Sequence, residues 1–382
     1  MSETNTAQGL RKRARELLER YADALIQGEE APAIGLGSAT EIVVSLLHKC
    51  LALEADATYV RLLDHFGVQL QREHHLQQVE ALFAAVLRRE ILSDAQRVAF
   101  TDLRVRILIQ LGERDLAQAA LDEVRPATST PDLQARVCNR QGYLYAIYNR
   151  YAEAERAYRA GIEAAVAGGD MNTLAILYSN YGDLIFQKSD FAQAIEQYEM
   201  ALEIAKPRGL SFACALAEGG LGMALDQLGQ YEAAAPHHEM ARTCYAEAGD
   251  VFGVIRIDLN LSYNALQRGD YEQVKELAAR ALAQARDLGD LHRMAFAHQR
   301  LGEAFLSTGD YALACEHFTV ALDLRRQLGK PLFIERTLES LHDLLAAIQD
   351  DADILPEQRA MLSARCRSAL GTTPDHPALP PA

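Results

Sequence analysis

Two pairs of adjacent histidines are the residues whose type and spacing first suggest chemistry, because imidazole nitrogens are common zinc ligands. His237 and His238 fall inside an expected helix, where neighbouring side chains point about 100° apart, so the two rings cannot readily chelate one metal unaided. His74 and His75 fall at an expected turn, and the sequence identifies no further ligand for them. We therefore expect no metal site.

A glycine-rich segment, Gly35-Leu36-Gly37-Ser38-Ala39-Thr40, partly matches the loop that cradles a dinucleotide. Thr40 stands where that loop needs its third glycine, and no strand or βαβ unit surrounds the segment. The sequence also lacks a Walker loop, a G-x-S-x-G and an H-E-x-x-H motif. Carboxylates are abundant, but the pattern singles out no pair for acid–base catalysis. We expect a protein that is not an enzyme and takes no cofactor.

Charge narrows the class of partner. The 382 residues carry a formal net charge of −15, which disfavours nucleic acid because binding to phosphates needs a basic stripe. A basic cluster over residues 11–15 is followed by Glu16, Glu19 and Asp23 on the same expected helix, a pattern typical of a solvated face. The expected partner is another protein or a peptide.

The cysteines and the apolar segments bear on the cellular compartment. None of the six cysteines belongs to a C-x-x-C pair, and within expected helices a free cysteine behaves as a small apolar residue. The sequence has no charged-then-apolar leader and no apolar run long enough to span a membrane. We expect a cytoplasmic protein with reduced thiols that does not bind membranes.

The elements that position these residues follow from an internal repeat with a step of 40 residues. One column is glycine throughout: Gly169, Gly209, Gly249, Gly289 and Gly329. A second column is aromatic: Tyr151, Phe191, Tyr231, Tyr271 and Tyr311. A third is small: Gly142, Gly182, Gly222, Ser262 and Gly302. Such agreement in one register predicts five regular repeats.

Each column has an expected mechanical role within a pair of amphipathic helices. A fourth column should end the first helix in the left-handed conformation: Asn149, Ser189, Gly229, Gly269 and Gly309. The aromatic residue two positions later begins the second helix, and the small residues let the two helices approach closely. His238 takes the place filled by Tyr158, Tyr198 and Phe318, so we expect it to be a packed substitute for an aromatic ring.

These columns resemble the tetratricopeptide repeat (TPR). Repeat five fits its pattern fully, with Gly302, Phe305, Gly309, Tyr311, Ala314, Phe318 and Ala321. The step of 40 residues, against the usual length of about 34, resembles kinesin light chains, spindle adaptors and bacterial peptide receptors of the Rap type. The resemblance implies an all-α fold without β-sheet, a right-handed α-α superhelix.

The regular array is expected over residues 135–330, between less regular segments. Before it we expect an N-terminal helical pair over 1–55 and two degenerate repeats over 56–125. A turn-rich break then runs from Pro126 to Pro131, with Thr130 as a helix N-cap. After the array we expect capping helices over 331–370 and a disordered tail over 371–382.

In the TPR family the first helices of successive hairpins line the binding groove, and in the 40-residue relatives an Asn there grips the main chain of a peptide. Asn180 and Asn260 resemble that Asn, while Arg140, Gly220 and Arg300 replace it in the other repeats. An Asn side chain offers donors and an acceptor to a peptide unit, and the arginines suit carboxylates. The remaining expected peptide-binding residues lie on the same helix faces: Arg136, Tyr143, Asp183, Met223, Arg256 and Tyr263.

Repeat three is the least regular, with Gly219, Gly220 and Gly222 in its first helix and Pro236 in its second. Interior glycine costs roughly 1 kcal/mol against alanine, and interior proline roughly 3 kcal/mol. We therefore expect a hinge or a close approach of ligand here, with Gly220 leaving space for a bound backbone.

The sequence leaves two functional hypotheses open. The leading one is a non-catalytic scaffold or adaptor that binds a peptide or helix of a partner in the concave groove. The alternative, which rests on the likeness to Rap-type receptors, is a regulator that senses a ligand or peptide and whose N-terminal helices act on an effector protein.

Overall fold

The computed structural model describes residues 2–27, 39–70, 76–124, 129–329 and 331–371. Over these ranges the regular elements are eighteen α-helices and one short 3-10 turn, with no β-strand, so the expected all-α fold is confirmed. The glycine-rich residues 35–38, the pair His74–His75, the break at 125–128 and the tail 372–382 lie outside the described residues. The chain divides into two compact units, Met1–Leu184 and Ile185–Ala382.

The helices of unit 1 run from the N-terminus into α9, near whose end the division falls. Their bounds are α1 Ser2–Ile26, α2 Ala39–Leu53, α3 Asp56–Leu70, α4 Leu76–Leu87, α5 Asp94–Leu111, α6 Arg114–Val124, α7 Pro131–Ile147, α8 Tyr151–Gly168 and α9 Met171–Gln187. One apolar cluster, which includes Leu47, Leu62 and Phe83, joins α1 to α5. A second cluster joins α5, α6 and α7. Thr130 caps α7 as expected, since its hydroxyl accepts the Leu133 N–H.

The helices of unit 2 stack in chain order, each packing on the next. Their bounds are α10 Phe191–Ala205, α11 Ser211–Gln227, α12 Tyr231–Glu247, α13 Val251–Gln267, α14 Tyr271–Asp287, α15 Leu291–Ser307, α16 Tyr311–Gln327, α17 Pro331–Asp350 and α18 Pro356–Leu370. The 3-10 turn Lys206–Arg208 follows α10. The last pair of helices covers α16, with Phe318, Leu341 and Leu362 in one apolar cluster.

The turn column behaves as its residue types predict. Asn149 has a φ of 58°, Ser189 of 63° and Gly229 of 73°, so non-glycine residues occupy the left-handed conformation in two of the five repeats. An aspartate then caps many of the helices that follow a turn. Asp190, for example, accepts the Gln193 N–H at 3.2 Å. Local sequence thus fixes where one helix ends and the next begins.

The small column allows close helix packing, as expected. A Cβ on Gly142 would lie 2.6 Å from the ring of Tyr158, and one on Gly302 would lie 2.6 Å from Phe318. The column of Tyr158, Tyr198, His238 and Phe318 holds the small Ala278 in the fourth repeat, and there the small column accepts the larger Ser262. The two side chains thus occupy the same space between the helices of a hairpin, so a large residue in one column requires a small residue in the other.

Candidate functional site

Three expected binding residues form a stripe along one face of α13. Arg256, Asn260 and Tyr263 are spaced by four and three residues, which places them on one side of the helix, and all three are half-buried. Arg256 donates to the hydroxyl of Tyr245, and its guanidinium carbon lies 5.3 Å from the centre of that ring. We call these positions, and their equivalents one repeat away on the other first helices, the first-helix stripe.

Asn260 has an unusual place in the stripe. Its Nδ2 is buried and has no hydrogen-bond partner in the described structure. A buried donor without an acceptor costs roughly 1–3 kcal/mol. An acceptor from outside the chain, such as a peptide carbonyl oxygen, would remove that cost, although reaching Nδ2 requires neighbouring side chains to rotate.

The next first helix, α15, contributes Arg300 to the stripe. Its guanidinium carbon lies 5.0 Å from the centre of the Tyr263 ring, so the stripes of α13 and α15 are in contact. Arg300 is 9% exposed and pairs with Glu303 one turn away. This ion pair differs from the expectation of a guanidinium open to a partner's carboxylate, because the chain already supplies one.

Behind this part of the stripe lies an arginine that the sequence did not reveal. Arg325 of α16 is 2% exposed, and its Nη1 donates to Gln299 Oε1 at 2.9 Å and to the Phe333 carbonyl at 3.0 Å. The rings of Phe296 and Phe333 lie 5.3 and 5.7 Å from the guanidinium carbon. Burial lowers the pKa of Arg325 to about 10. The positions equivalent to Arg325 in the other four repeats hold Ala or Tyr. A charged residue at this position was therefore the one sign in the sequence that could have indicated the buried arginine.

The structure corrects the interpretation of Gly220 in α11. Gly220 is buried, and a Cβ on it would lie 2.3 Å from the ring of Tyr198. The missing side chain is explained by this internal contact rather than by space for a bound backbone. Met223, one turn further along α11, is half-buried. No break accompanies Pro236 either, since α12 continues through it.

In unit 1 the stripe of α7 is tied to α5. Arg140 pairs with Asp102, which also receives a hydrogen bond from Arg106 at 3.1 Å. Burial acts to raise the pKa of Asp102, but the two guanidinium groups outweigh it and hold the pKa below its usual range. Like Arg300, Arg140 is therefore not open to a partner's carboxylate. Tyr143 is 41% exposed, with the Arg140 guanidinium carbon 5.2 Å from its ring centre.

The remaining expected residues of unit 1 also have partners or are half-buried. Arg136 lies 3.7 Å from the Asp170 carboxylate, and Asn180 donates to Asn139 Oδ1 at 2.8 Å. Asp183 is half-buried on α9. The amide of Asn180 is thus oriented by a neighbouring first helix, whereas the Nδ2 of Asn260 has no such partner.

The adjacent histidines point to different partners, as their helical spacing requires. His237 contacts Glu218 at 2.6 Å, and His238 contacts Asp226 at 2.9 Å. His238 is fully buried beside Gly222, so its expected packing role is confirmed. Within the described ranges, no group of three or more His, Cys, Asp or Glu side chains is arranged to hold a metal ion.

A pocket of about 80 Å³ lies in unit 1 beside Tyr145 and Tyr148, flanked by Arg114 and Arg150. Sites for small molecules usually enclose roughly 300–1,000 Å³. The volume of this pocket lies below that range. In the described part of the chain, no helix is long and apolar enough to cross a membrane.

Comparison with known proteins agrees with the hairpin geometry. Residues 173–247 match the family model of the tetratricopeptide repeat. The chain contains tetratricopeptide repeats. No curated protein matches the sequence significantly.

Solved TPR structures share the fold. A signal transduction ATPase with a TPR sensor from Pyrococcus horikoshii is 15% identical with a TM-score of 0.57, over 90% of this chain and 54% of that one. The Rap protein complexed with competence and sporulation factor is 13% identical with a TM-score of 0.53, over 87% and 96% of the two chains. A chain of the APC/C hetero-tetramer Cut9–Hcn1 is 14% identical with a TM-score of 0.51, over 78% of this chain and 53% of that one. At such identities the likeness shows the fold alone.

Proposed function

We propose that this TPR chain is a non-catalytic scaffold that binds an extended segment of a partner protein along the first-helix stripe of unit 2. The observation that carries the proposal is the unpaired, buried Nδ2 of Asn260 between Arg256 and Tyr263 on one face of α13. An amide donor can bind a main-chain carbonyl of any sequence, so affinity would not require one particular side chain at that point.

The neighbouring side chains would supply the specificity. Tyr263 and Met223 present half-buried aromatic and thioether surface, and Arg300 is held in place by Glu303 and by the Tyr263 ring. A side chain fixed before binding loses less conformational freedom when the partner arrives. The stripe is therefore suited to a segment that is partly apolar and bound mainly through its backbone.

Unit 1 carries a second set of stripe residues, which we propose as a separate contact surface. Arg136, Arg140 and Tyr143 lie on one face of α7, and Asn180 and Asp183 on α9. The charge of Arg140 is already balanced by Asp102. Of these five residues, Arg136 and Tyr143 are exposed, and we expect the ring of Tyr143 to contribute apolar contact area to the interface.

Pull-down with the full-length chain, followed by mass spectrometry, would identify the partner. The comparison uses the Asn260→Ala and Asn180→Ala variants, with Gln193→Ala as a matched control because Gln193 carries an exposed amide on α10, which is not a first helix. We expect Asn260→Ala to lose the partner and Gln193→Ala to retain it, with unchanged helical circular dichroism in both. Retention of the same partners by the double Asn180/Asn260 variant would contradict the proposal.

A regulator that responds to a bound peptide is the second candidate. The likeness that favours it is the Rap structure with its bound factor, of which this chain covers 96%. Small-angle X-ray scattering with and without the partner peptide separates the two candidates. A scaffold keeps its radius of gyration on binding, whereas a regulator of this kind compacts.

A further inference from the structure

The thiols of Cys315 and Cys366 meet inside the C-terminal end of unit 2. Cys315 lies on α16 and is 2% exposed, while Cys366 lies on α18 and is fully buried. Their sulfur atoms are 3.5 Å apart, although 51 residues separate them in the sequence. A disulfide needs about 2.05 Å, so a further approach of about 1.5 Å joins them.

The second observation is how lightly α18 is held. Of its 15 residues, the buried ones are Leu362, Ser363 and Cys366, and they pack on α16 and α17. A terminal helix with so few buried contacts opens locally far more often than the whole unit unfolds. Each partial opening of α18 would admit a small reagent to the sulfur atoms while the two thiols remain neighbours.

We propose that Cys315 and Cys366 form a reversible redox modification site, in which a small-molecule disulfide such as oxidised glutathione converts the two thiols into an intramolecular disulfide. The bond would fasten α18 to α16 and keep the end of the helical stack covered. This proposed disulfide does not depend on peptide binding by the first-helix stripe.

The exchange is balanced without any further reactant. The Cys315 thiolate attacks one sulfur of oxidised glutathione, forming a mixed disulfide and releasing one glutathione thiolate. The Cys366 thiolate then attacks the Cys315 sulfur, releasing the second glutathione. Two protein thiols are oxidised, one glutathione disulfide is reduced, and two thiol protons are carried away by the two glutathione products.

The local chemistry favours Cys315 as the attacking group. The thiol of Cys366 donates to the sulfur of Cys315, and this hydrogen bond lowers the pKa of Cys315 to about 7. The same contact raises the pKa of Cys366. A thiol whose pKa lies near ambient pH is well suited to start the exchange.

Thiol counting on the full-length chain tests the site directly. The folded, reduced protein has six thiols, and we expect four after incubation with oxidised glutathione, with dithiothreitol restoring all six. Peptide mapping without reduction should find Cys315 joined to Cys366. Retention of six thiols, or a stable glutathione adduct or different pairing at these positions, would overturn the proposal.

Two variants separate this pair from the other buried thiols. Cys214→Ala/Cys244→Ala removes the neighbouring thiols of α11 and α12, and it should still lose two thiols on oxidation. Cys366→Ala cannot close the disulfide, so it should lose at most one thiol, as a glutathione adduct on Cys315. Trypsin cleavage at Arg365 should slow at least tenfold in the oxidised wild type and remain fast in oxidised Cys366→Ala; equal rates would contradict the fastening of α18.

Discussion

His238 Nε2 lies 2.9 Å from Asp226 Oδ2, and neither side chain is reached by solvent to any extent, at 0% and 4% exposure. The other oxygen of Asp226 accepts from Asn264 Nδ2 at 2.7 Å. Repeat three thus replaces an aromatic residue with His238 and supplies a buried carboxylate to receive its hydrogen bond. The three polar residues form one unit, because each would be costly to bury alone.

The Asp226→Leu variant should be destabilised by roughly 1–3 kcal/mol, since His238 Nε2 and one hydrogen of Asn264 lose their acceptor. Urea denaturation measures the change. The triple variant Asp226→Leu/His238→Tyr/Asn264→Ala restores the residue types that other repeats hold in those columns. We expect it to recover most of the loss; a triple variant weaker than the single one would show that the three residues do not act as a unit.

The Gly220→Ala variant distinguishes the two interpretations of this glycine, because they predict stability changes of opposite sign. In open space, Gly→Ala in a helix stabilises by up to about 1 kcal/mol. The Tyr198 ring, 2.3 Å from the added Cβ, makes us expect destabilisation instead. Gly219→Ala is the matched control, because its Cβ would lie 3.0 Å from the flexible end of Ile257. A more stable Gly220→Ala protein in thermal melts would restore the idea of free space.

A single substitution at Ser189 is expected to stabilise the protein. Its φ of 63° lies in the left-handed region, where glycine carries no Cβ penalty. Ser189→Gly should raise the free energy of unfolding by about 0.5–1 kcal/mol, and Gly229→Ala in the same column should lower it by a similar amount. Chemical denaturation of both variants checks the pair, and shifts of the same sign would contradict it.

Acid should destabilise unit 2 through His298 and His317, whose Nδ1 atoms lie 2.9 Å apart. Burial, followed by the charges of His317 and Arg286, lowers the pKa of His298 to about 4, and burial also lowers the pKa of His317. The unfolded chain then binds more protons than the folded one between about pH 6.5 and pH 4. Stability is present above pH 6.5 and is lost as the pH falls, by up to about 3 kcal/mol from His298.

Thermal melts of the wild type at pH 7.5 and pH 5 measure this effect. The His298→Gln/His317→Gln variant removes both titrating groups and should show a clearly smaller drop in melting temperature. Equal drops in the two proteins would place the acid sensitivity elsewhere.

Repetition made the fold predictable, because the five columns report turns and close contacts that recur at every hairpin. The left-handed turn at Asn149 and the packed ring of His238 followed from column membership alone. Asp226 and Asn264 are polar residues in repeat columns that are otherwise apolar. This departure could have predicted their cluster with His238, but only if the three positions had been considered together.

The candidate surface was less predictable because it depends on partners outside the repeat pattern. Nothing in the spacing of Arg140 reveals Asp102, which comes from a helix before the regular array. Gly220 was misinterpreted for a similar reason, since the ring that fills its space belongs to the preceding repeat. The stripe positions of Asn180 and Asn260 remain proposals for binding.

Isothermal titration of the identified partner segment into the wild type, Asn260→Ala and Gln193→Ala proteins tests the central proposal most directly. Loss of one hydrogen bond worth about 1.4 kcal/mol corresponds to a tenfold change in affinity. The first-helix stripe predicts that Asn260→Ala raises the Kd at least about tenfold, while Gln193→Ala matches the wild type. One Kd common to all three proteins would contradict binding at this stripe.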